Sequence, residues 1–403
     1  MDTRPTPPRK PPLTTGQIVE TFTGFFHDRG HRFVPSVPLV RPPGDPVLFT
    51  TSGMHPLTPY LEGRPHPLGR RLVNSQRVLR TTDLDEVGDP THLTVFQMLG
   101  SWSLGDYGTE QSLRWGYELL VDGFGIGPER LHATVFGGDD QLGPDTRSLQ
   151  TWRDLGVPVE LTGQDNWWSN GPTGPCGPDS EIFVWTGDTP PQGTPTGDDR
   201  WVEVWNHVMM RYRRLDDQSL QPLARPGVDT GMGLERLVMV LQGRPSVFGI
   251  DLFDPWRQAL LWQLDGAEWR IVTDHLRSAV VMIADGVRPA ANAHGYVLRR
   301  LLRRVLTTLW RHDPDHTLAD LPVELIEGTL GHFGQQCPVE EVREVLLSEQ
   351  HRFAGMLRRG RQVLSRPRFS GPLSEEDYGC LHDTHGLPRE LIDMLRQESV
   401  AGK

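Results

Sequence analysis

Apolar residues near the start of the chain recur at helical spacing. Ile18, Phe22, Phe25 and Phe26 follow Thr14 and Gln17, whose three-residue separation is that of a capping box, and Gly30 supplies a stop. From there to about residue 240 the pattern changes. Short β-branched or aromatic runs ("DPVLFTTSG", "LHATVFG", "EIFVW", "WVEVWNHVMM") alternate with Gly and Pro punctuation and predict strands. One helix-like stretch, "EQSLRWGYELLVDGF" (110–124), interrupts them. Without regular strand–helix alternation, the expected class is α+β, an antiparallel sheet flanked by helices. Beyond about residue 250 the period is helical: "RIVTDHLRSAVVMIADG" (270–286), stopped by glycine, and "YVLRRLLRRVLTTLWR" (296–311). Residues 1–13, "MDTRPTPPRKPPL", read as a disordered or polyproline tail. The expected organisation is this tail, a sheet domain over 14–250 and a helical domain over 251–403.

A chain of 403 residues is long for one domain, and 36% hydrophobic against 23% charged residues supports a packed core and excludes global disorder. No apolar run reaches the ~18 residues of a membrane span, and the N-terminus lacks the apolar region of a secretory signal. Cys176, Cys337 and Cys380, with no CxxC spacing, suit a reducing, cytoplasmic setting. A net charge of −11 argues against a generic nucleic-acid binder. Residues 270–311 run the other way, with eight arginines against two aspartates. On the helix predicted there, Arg299, Arg300, Arg303 and Arg304 share one arc and Val297, Leu298, Leu301, Leu302, Val305 and Leu309 the other. That basic arc is either a solvated surface or a nucleic-acid face.

"VDTGMGLERL" (228–237) places two glycines ahead of a helix that opens on Leu234, Glu235 and Arg236. Glycines there let a phosphate approach the backbone, and an arginine holds it bidentately. The bland alternative is a glycine-rich turn before an amphipathic helix. Upstream, "NSQRVLRTTD" (74–83) carries an arginine and an acid, Arg80 and Asp83. A loop and then "HLTVFQMLGSWSLGDY" (92–107) bring His92 and Phe96. "GPTGPCGPDSE" (171–181) has the composition of a spacer, yet it lies between two tryptophans and an apolar run.

Arg-x-x-acid, a loop and His-x-x-x-Phe resemble motif 2 of the class II aminoacyl-tRNA synthetases, and "GLER" resembles motif 3. Six blocks in order, "DPVLFTTSGM", "FQMLGSWSLGDY", "DNWWSNGPTGPCGPDSEI", "EVWNHVMM", "PGVDTGMGLERL" and "DHLRSAVVMIADGVRPAANAHGYVLRRLLRR", resemble the alanyl-tRNA synthetase family over roughly residues 17–397. The resemblance implies ATP and Mg2+ as cofactors and adenylation of alanine or a similarly small amino acid. It implies that Arg80 contacts the α-phosphate and the substrate carboxylate and Arg236 the outer phosphates. Asp83, His92, Phe96, Met98, Gly231 and Gly233 would complete the ATP site. Asp229 would pair with the amino group, and Met54, Trp168, Asn206 and Val208 would wall the amino-acid pocket. For Trp168 and Val208 a plain core role stays open. Glu203 is the implied magnesium residue. Arg299, Arg300, Arg303, Arg304 and Asp383 would face the acceptor end of tRNA-Ala.

The sequence departs from that family in several places. The motif 2 loop is cut to "TTD" without a lysine; Gln97 replaces a glutamate; Asp179 replaces a second cysteine; and "PAANAHG" puts Ala291 where an asparagine reads the acceptor stem, with Asn292 one position off. Editing and C-terminal domains are not expected. His27/His31 and His312/His316 lack a Cys-x-x-x-His partner, so no zinc is expected. Two acceptors follow for the activated amino acid: tRNA-Ala, favoured by the arginine arc and Asp383, or a carrier protein, peptide or small molecule, favoured by Ala291 and the short loop. "GPTGPCGPDSE" is expected to be a rigid loop beside the pocket, followed by a strand from Glu181, with Cys176 a small buried side chain.

Overall fold

The computed structural model describes residues 12–396 apart from positions 43, 46, 370, 386, 388, 390 and 394, and it leaves aside the side chains of Asp83 and Asp383. The Pro-rich tail up to residue 11 and those two acids therefore lie outside the described residues. The chain divides into two compact units. One holds the residues up to Ala259 with Asp265–Asp274; the other holds Leu260–Leu264 and the residues from His275 onward.

The first unit is built on a sheet of nine strands among the described residues: β1 (Arg32–Phe33), β2 (Arg71–Leu79), β3 (Val95–Ser103), β4 (Leu131–Phe136), β5 (Val159–Thr162), β6 (Trp167–Ser169), β7 (Gly174–Trp185), β8 (Trp201–Arg214) and β9 (Leu220–Gly233). Their order is β1-β2-β3-β9-β8-β7-β4-β5, with β6 alongside β7. From β2 to β4 along this path every pairing is antiparallel, and only β1–β2 and β4–β5 at the two ends are parallel. The helices are α1 (Thr15–His27), the one-turn α2 (Thr58–Leu61), α3 (Thr109–Glu118), α4 (Thr146–Asp154), α5 (Leu234–Leu241) and α6 (Asp254–Ala259). The capping box at α1 is formed: Thr14 and Gln17 each bond the other's backbone N–H. The helix expected to reach residue 124 stops as an α-helix at Glu118. A π-turn, Leu119–Gly123, follows it, and Phe124 N–H donates back to the Leu119 carbonyl.

The Gly/Pro-rich segment is not a loop. β7 begins at Gly174, seven residues before the expected start. A Cβ on Gly177 would lie 1.9 Å from the Met209 carbonyl oxygen, so glycine is what lets β8 approach. Pro178 falls where the β7–β8 register shifts, between Cys176 and Asp179. A bulge absorbs the missing N–H of a proline in mid-strand. Composition suggested irregularity; it encodes a bulged strand whose neighbour lies close. Cys176 is fully buried and unpaired with another cysteine.

The second unit is helical. α7 (Gly266–Ala284) starts in the first unit and ends in the second; α8 (Ala293–His312), α9 (Val323–His332), α10 (Val339–Leu364) and α11 (Glu375–His385) complete it. α7 starts four residues before the expected helix and α8 three before. On α8 the apolar arc is buried as the periodicity required. No helix among the described residues is long and apolar enough to cross a membrane.

Candidate active site

The site grows out of strand register. Asp179 on β7 faces Val208 on β8, Val208 faces Asp229 on β9, and Asp229 faces Trp102 on β3. Two residues along, Glu181, Asn206, Gly231 and Gly100 form the next row, and Gly233 faces Met98. Strand side chains alternate between faces, so these rows share one side of the sheet. The second row carries no side chain at two successive strands. Gly231 borders a cavity of about 320 Å³, while the Trp102 ring covers Gly100. A Cβ on Gly100 would meet the rigid Trp102 ring at 2.2 Å, and one on Gly231 would meet Met98 Sδ at 3.0 Å.

The cavity gathers most of the residues named from sequence. Arg80, His92, Phe96, Met98, Gly231, Gly233 and Arg236 line it, as do Trp168, Glu203, Asn206, Val208 and Asp229. Met54 does not. It is fully buried in a core cluster with Leu57, Trp102, Val208 and Met210, behind the wall rather than on it. Val208 and Trp168 belong to both settings, packing on that cluster and lining the cavity, so the core and pocket readings describe the same side chains. Arg299, Arg300, Arg303 and Arg304 lie on α8 in the second unit.

Each polar group has a definite brace. Arg80 leaves β2 with its guanidinium 5.4 Å from the centre of the Phe96 ring. Arg236, in the first turn of α5, pairs with Glu203 at 3.1 Å. Its neighbour Glu235 turns inward, and its carboxylate accepts the Gln97 N–H, locking α5 to β3. His92 sits between Asp89, 2.5 Å from Nδ1, and Glu86, 3.1 Å from Nε2. Burial pushes the Asp89 carboxyl up, but hydrogen bonds from His92 and Thr91 outweigh it and hold it below its ordinary value.

One end of the cavity is lined by buried acids. Asp229 is 7% exposed, and burial lifts its pKa to about 7 against the opposing hydrogen bond from Trp102 Nε1, 2.5 Å from Oδ1. Burial likewise lifts Asp179 to about 7, against hydrogen bonds from Asn166 and Asn206. Glu181 is held well above the usual carboxylate range by burial and by the charges of Glu203 and Asp179. Acids shifted this far by burial cluster at functional sites.

The profile of the family described as tRNA synthetases class II (A) matches residues 17–401. A protein of Treponema pallidum named alanine--tRNA ligase is 40% identical over 96% of this chain and 69% of its own length. The chain belongs to the class II alanine--tRNA ligases. Others of that name are similar too: one from Rubrobacter xylanophilus is 38% identical over 96% of this chain and 48% of its own length, and one from Borrelia hermsii 35% over 95% and 69%. The chain thus spans between about half and two thirds of the length of these relatives.

Three residues of the site are not legible as such in the sequence: Trp102, Glu181 and Glu235. Trp102 stands four positions after Met98, on the same face of a strand, and Glu181 is an acid heading an apolar run. Parity and that misplaced charge were the available signals. Glu235 was taken with Arg236 as one motif, although adjacent residues at a helix start point different ways.

Proposed function

We propose that the chain activates alanine with ATP and transfers it to the terminal ribose of tRNA-Ala. The observation that carries this is the polarity of the cavity. It has a buried carboxylate, Asp229, close to Gly231 at one end, and two arginines with an aromatic ring at the other. A small amino acid fits the first with its ammonium on Asp229. A nucleotide fits the second with its base against Phe96 and Met98 and its phosphates near Arg80 and Arg236.

In this reading an oxygen of the alanine carboxylate attacks the α-phosphorus of ATP. The bond to the β-phosphate oxygen breaks, and pyrophosphate leaves with the bonding electrons. Arg80 neutralises charge gathering on the phosphorus oxygens and Arg236 charge on the departing phosphates. Asp229, fixed by Trp102, holds the ammonium so that the carboxylate points at the phosphorus. A ribose hydroxyl then attacks the carbonyl carbon, loses its proton and displaces AMP.

Magnesium is compatible with the donor set. Glu203 and Glu181 are two carboxylates on one wall, close enough for the first to repel the charged form of the second. One or two carboxylates plus phosphate oxygens is the usual protein share of a Mg2+ site. Glu203 would hold the ion, which supplies further neutralisation of phosphate charge when bound.

The test pairs two assays, alanine-dependent ATP–pyrophosphate exchange and charging of a tRNA-Ala transcript. Both are expected. Exchange with glycine or serine but not alanine removes the substrate assignment, and exchange without charging removes the transfer half.

A further inference from the structure

No described residue of α7 lines the cavity, yet its first turns grip the segment that does. Arg270 Nε donates to the Gly88 carbonyl at 2.7 Å. Gly88 has a φ of +127°, and a Cβ on it would lie 3.3 Å from the Ile271 side chain. Asp274, one turn beyond Arg270, takes both donors of Thr94: the N–H meets Oδ1 at 2.9 Å and the hydroxyl meets Oδ2 at 2.5 Å. Thr94 and Asp274 are both fully buried. Residues four apart on a helix are neighbours, so Arg270 and Asp274 hold the two ends of the 88–94 segment from one face of α7. Thr94 carries this grip to the chemistry. Its carbonyl accepts the Arg80 N–H at 3.1 Å, one step past the Leu79–Val95 pair of β2 and β3. Its neighbours His92, Leu93 and Phe96 line the cavity together with Arg80. The Arg80 side chain itself is exposed, and its hydrogen bond to the Thr51 carbonyl is long, 3.5 Å. Its aim therefore depends on where its backbone is held.

We infer that Asp274 is a positioning residue for the phosphate end of the site: through Thr94 it fixes the Arg80 backbone, so that the guanidinium stands over Phe96 and meets the α-phosphate. Two bonds to one residue, at its backbone and at its side chain, leave Thr94 little freedom to shift or turn. Both cavity walls that flank the phosphates, Arg80 and Phe96, are then set from the same point. The inference rests on the adenylation reading for what Arg80 meets, though not for where Arg80 is held.

Asp274→Ala removes both bonds to Thr94. In alanine-dependent pyrophosphate exchange its kcat is expected to fall about a hundredfold, the cost of a catalytic group displaced by about 1 Å. The KM for alanine should move by less than about threefold, because the aim of Arg80 matters most in the transition state. Thr94→Val keeps the shape of Thr94 but loses the hydroxyl, and its kcat should fall about tenfold. Thr94→Ser restores the hydroxyl and should recover most of that loss. A parent-like kcat in Asp274→Ala, a loss that lies wholly in the KM for alanine, or a serine variant as poor as the valine one overturns the inference. Should Asp274→Ala not fold, Thr94→Val decides by itself: an unchanged kcat overturns it. NMR of arginine-labelled protein separates positioning from chemistry. The Arg80 Nε–H signal, assigned by its loss in Arg80→Ala, reports the place of the guanidinium over the Phe96 ring. A signal displaced in Thr94→Val and parent-like in Thr94→Ser supports the positioning role even if the parent shows no exchange with alanine. A signal that stays in place in both refutes it.

Discussion

Asp229 shows how one residue couples stability to chemistry. Its carboxyl is buried, with Trp102 Nε1 donating to it, and is held to a pKa of about 7 against an ordinary 3.8. Between those values the folded state keeps a proton that the unfolded chain releases. The contribution to stability is therefore fully present below about pH 4 and is lost as pH rises through about 7. The loss is on the order of 4 kcal/mol. Asp229→Asn keeps an oxygen for Trp102 and carries no charge, so at pH 8 the variant should melt higher than the parent, and at pH 4 the two should converge. Activity should move oppositely. The ammonium needs the ionised form, so kcat/KM for alanine in the parent should climb as pH rises through about 7, whereas Asp229→Asn should lose at least a hundredfold with no such climb. Thermal melts and exchange assays at pH 5, 7 and 8 measure both. An unstabilised, active Asn variant would sink the role assigned to Asp229.

At the level of elements, the site is made by strands that omit side chains. Gly100 and Gly231 occupy adjacent positions on β3 and β9; Gly231 borders the cavity and the Trp102 ring covers Gly100. The two differ in what a methyl group would meet. At Gly100 it would strike the rigid Trp102 ring at 2.2 Å; at Gly231 it would press Met98 Sδ, the end of a flexible chain, at 3.0 Å. Gly100→Ala is therefore expected to cost about 1–3 kcal/mol and, by displacing Trp102 from Asp229, to raise the KM for alanine. Gly231→Ala should fold with little loss and raise KM by partly filling the floor. Denaturant midpoints beside KM values distinguish them. This same level decides what was legible in the sequence. The helix periods were readable because one face of α1 and of α8 is buried, and burial is what sets the period. The motif residues were readable because their types and spacing are local. Register was not: which residue faces which is fixed by pairings between strands apart in sequence, so Trp102 and Glu181 went unseen and Met54 was placed on the wall instead of behind it. Gly177 and Pro178 were misjudged for a related reason. Their composition reports irregular backbone, and only the partner strand shows that the irregularity is a bulge.

Over the whole molecule, charge is divided. An acidic chain keeps an arginine-rich helix, α8, in its helical unit. Those arginines are not equivalent. Arg303 Nε donates to Glu349 on α10 at 2.9 Å, and Glu349 is 2% exposed. Arg303 also lies over the Phe353 ring. Removing this arginine strands a buried carboxylate, so Arg303→Ala is expected to cost about 3 kcal/mol, and Arg303→Met with Glu349→Leu should recover most of it. Arg300 is exposed and Arg299 half-buried, and in the proposed reading both meet RNA phosphates. The double variant Arg299→Ala/Arg300→Ala should then weaken tRNA-Ala binding and lower the slope of log affinity against log salt by about two. Its alanine-dependent exchange should stay that of the parent. A salt titration of tRNA binding alongside the exchange assay tests this directly: an unchanged slope would return the arc to a solvated surface. A fall in exchange would mean that these arginines serve the adenylation unit instead of an RNA partner.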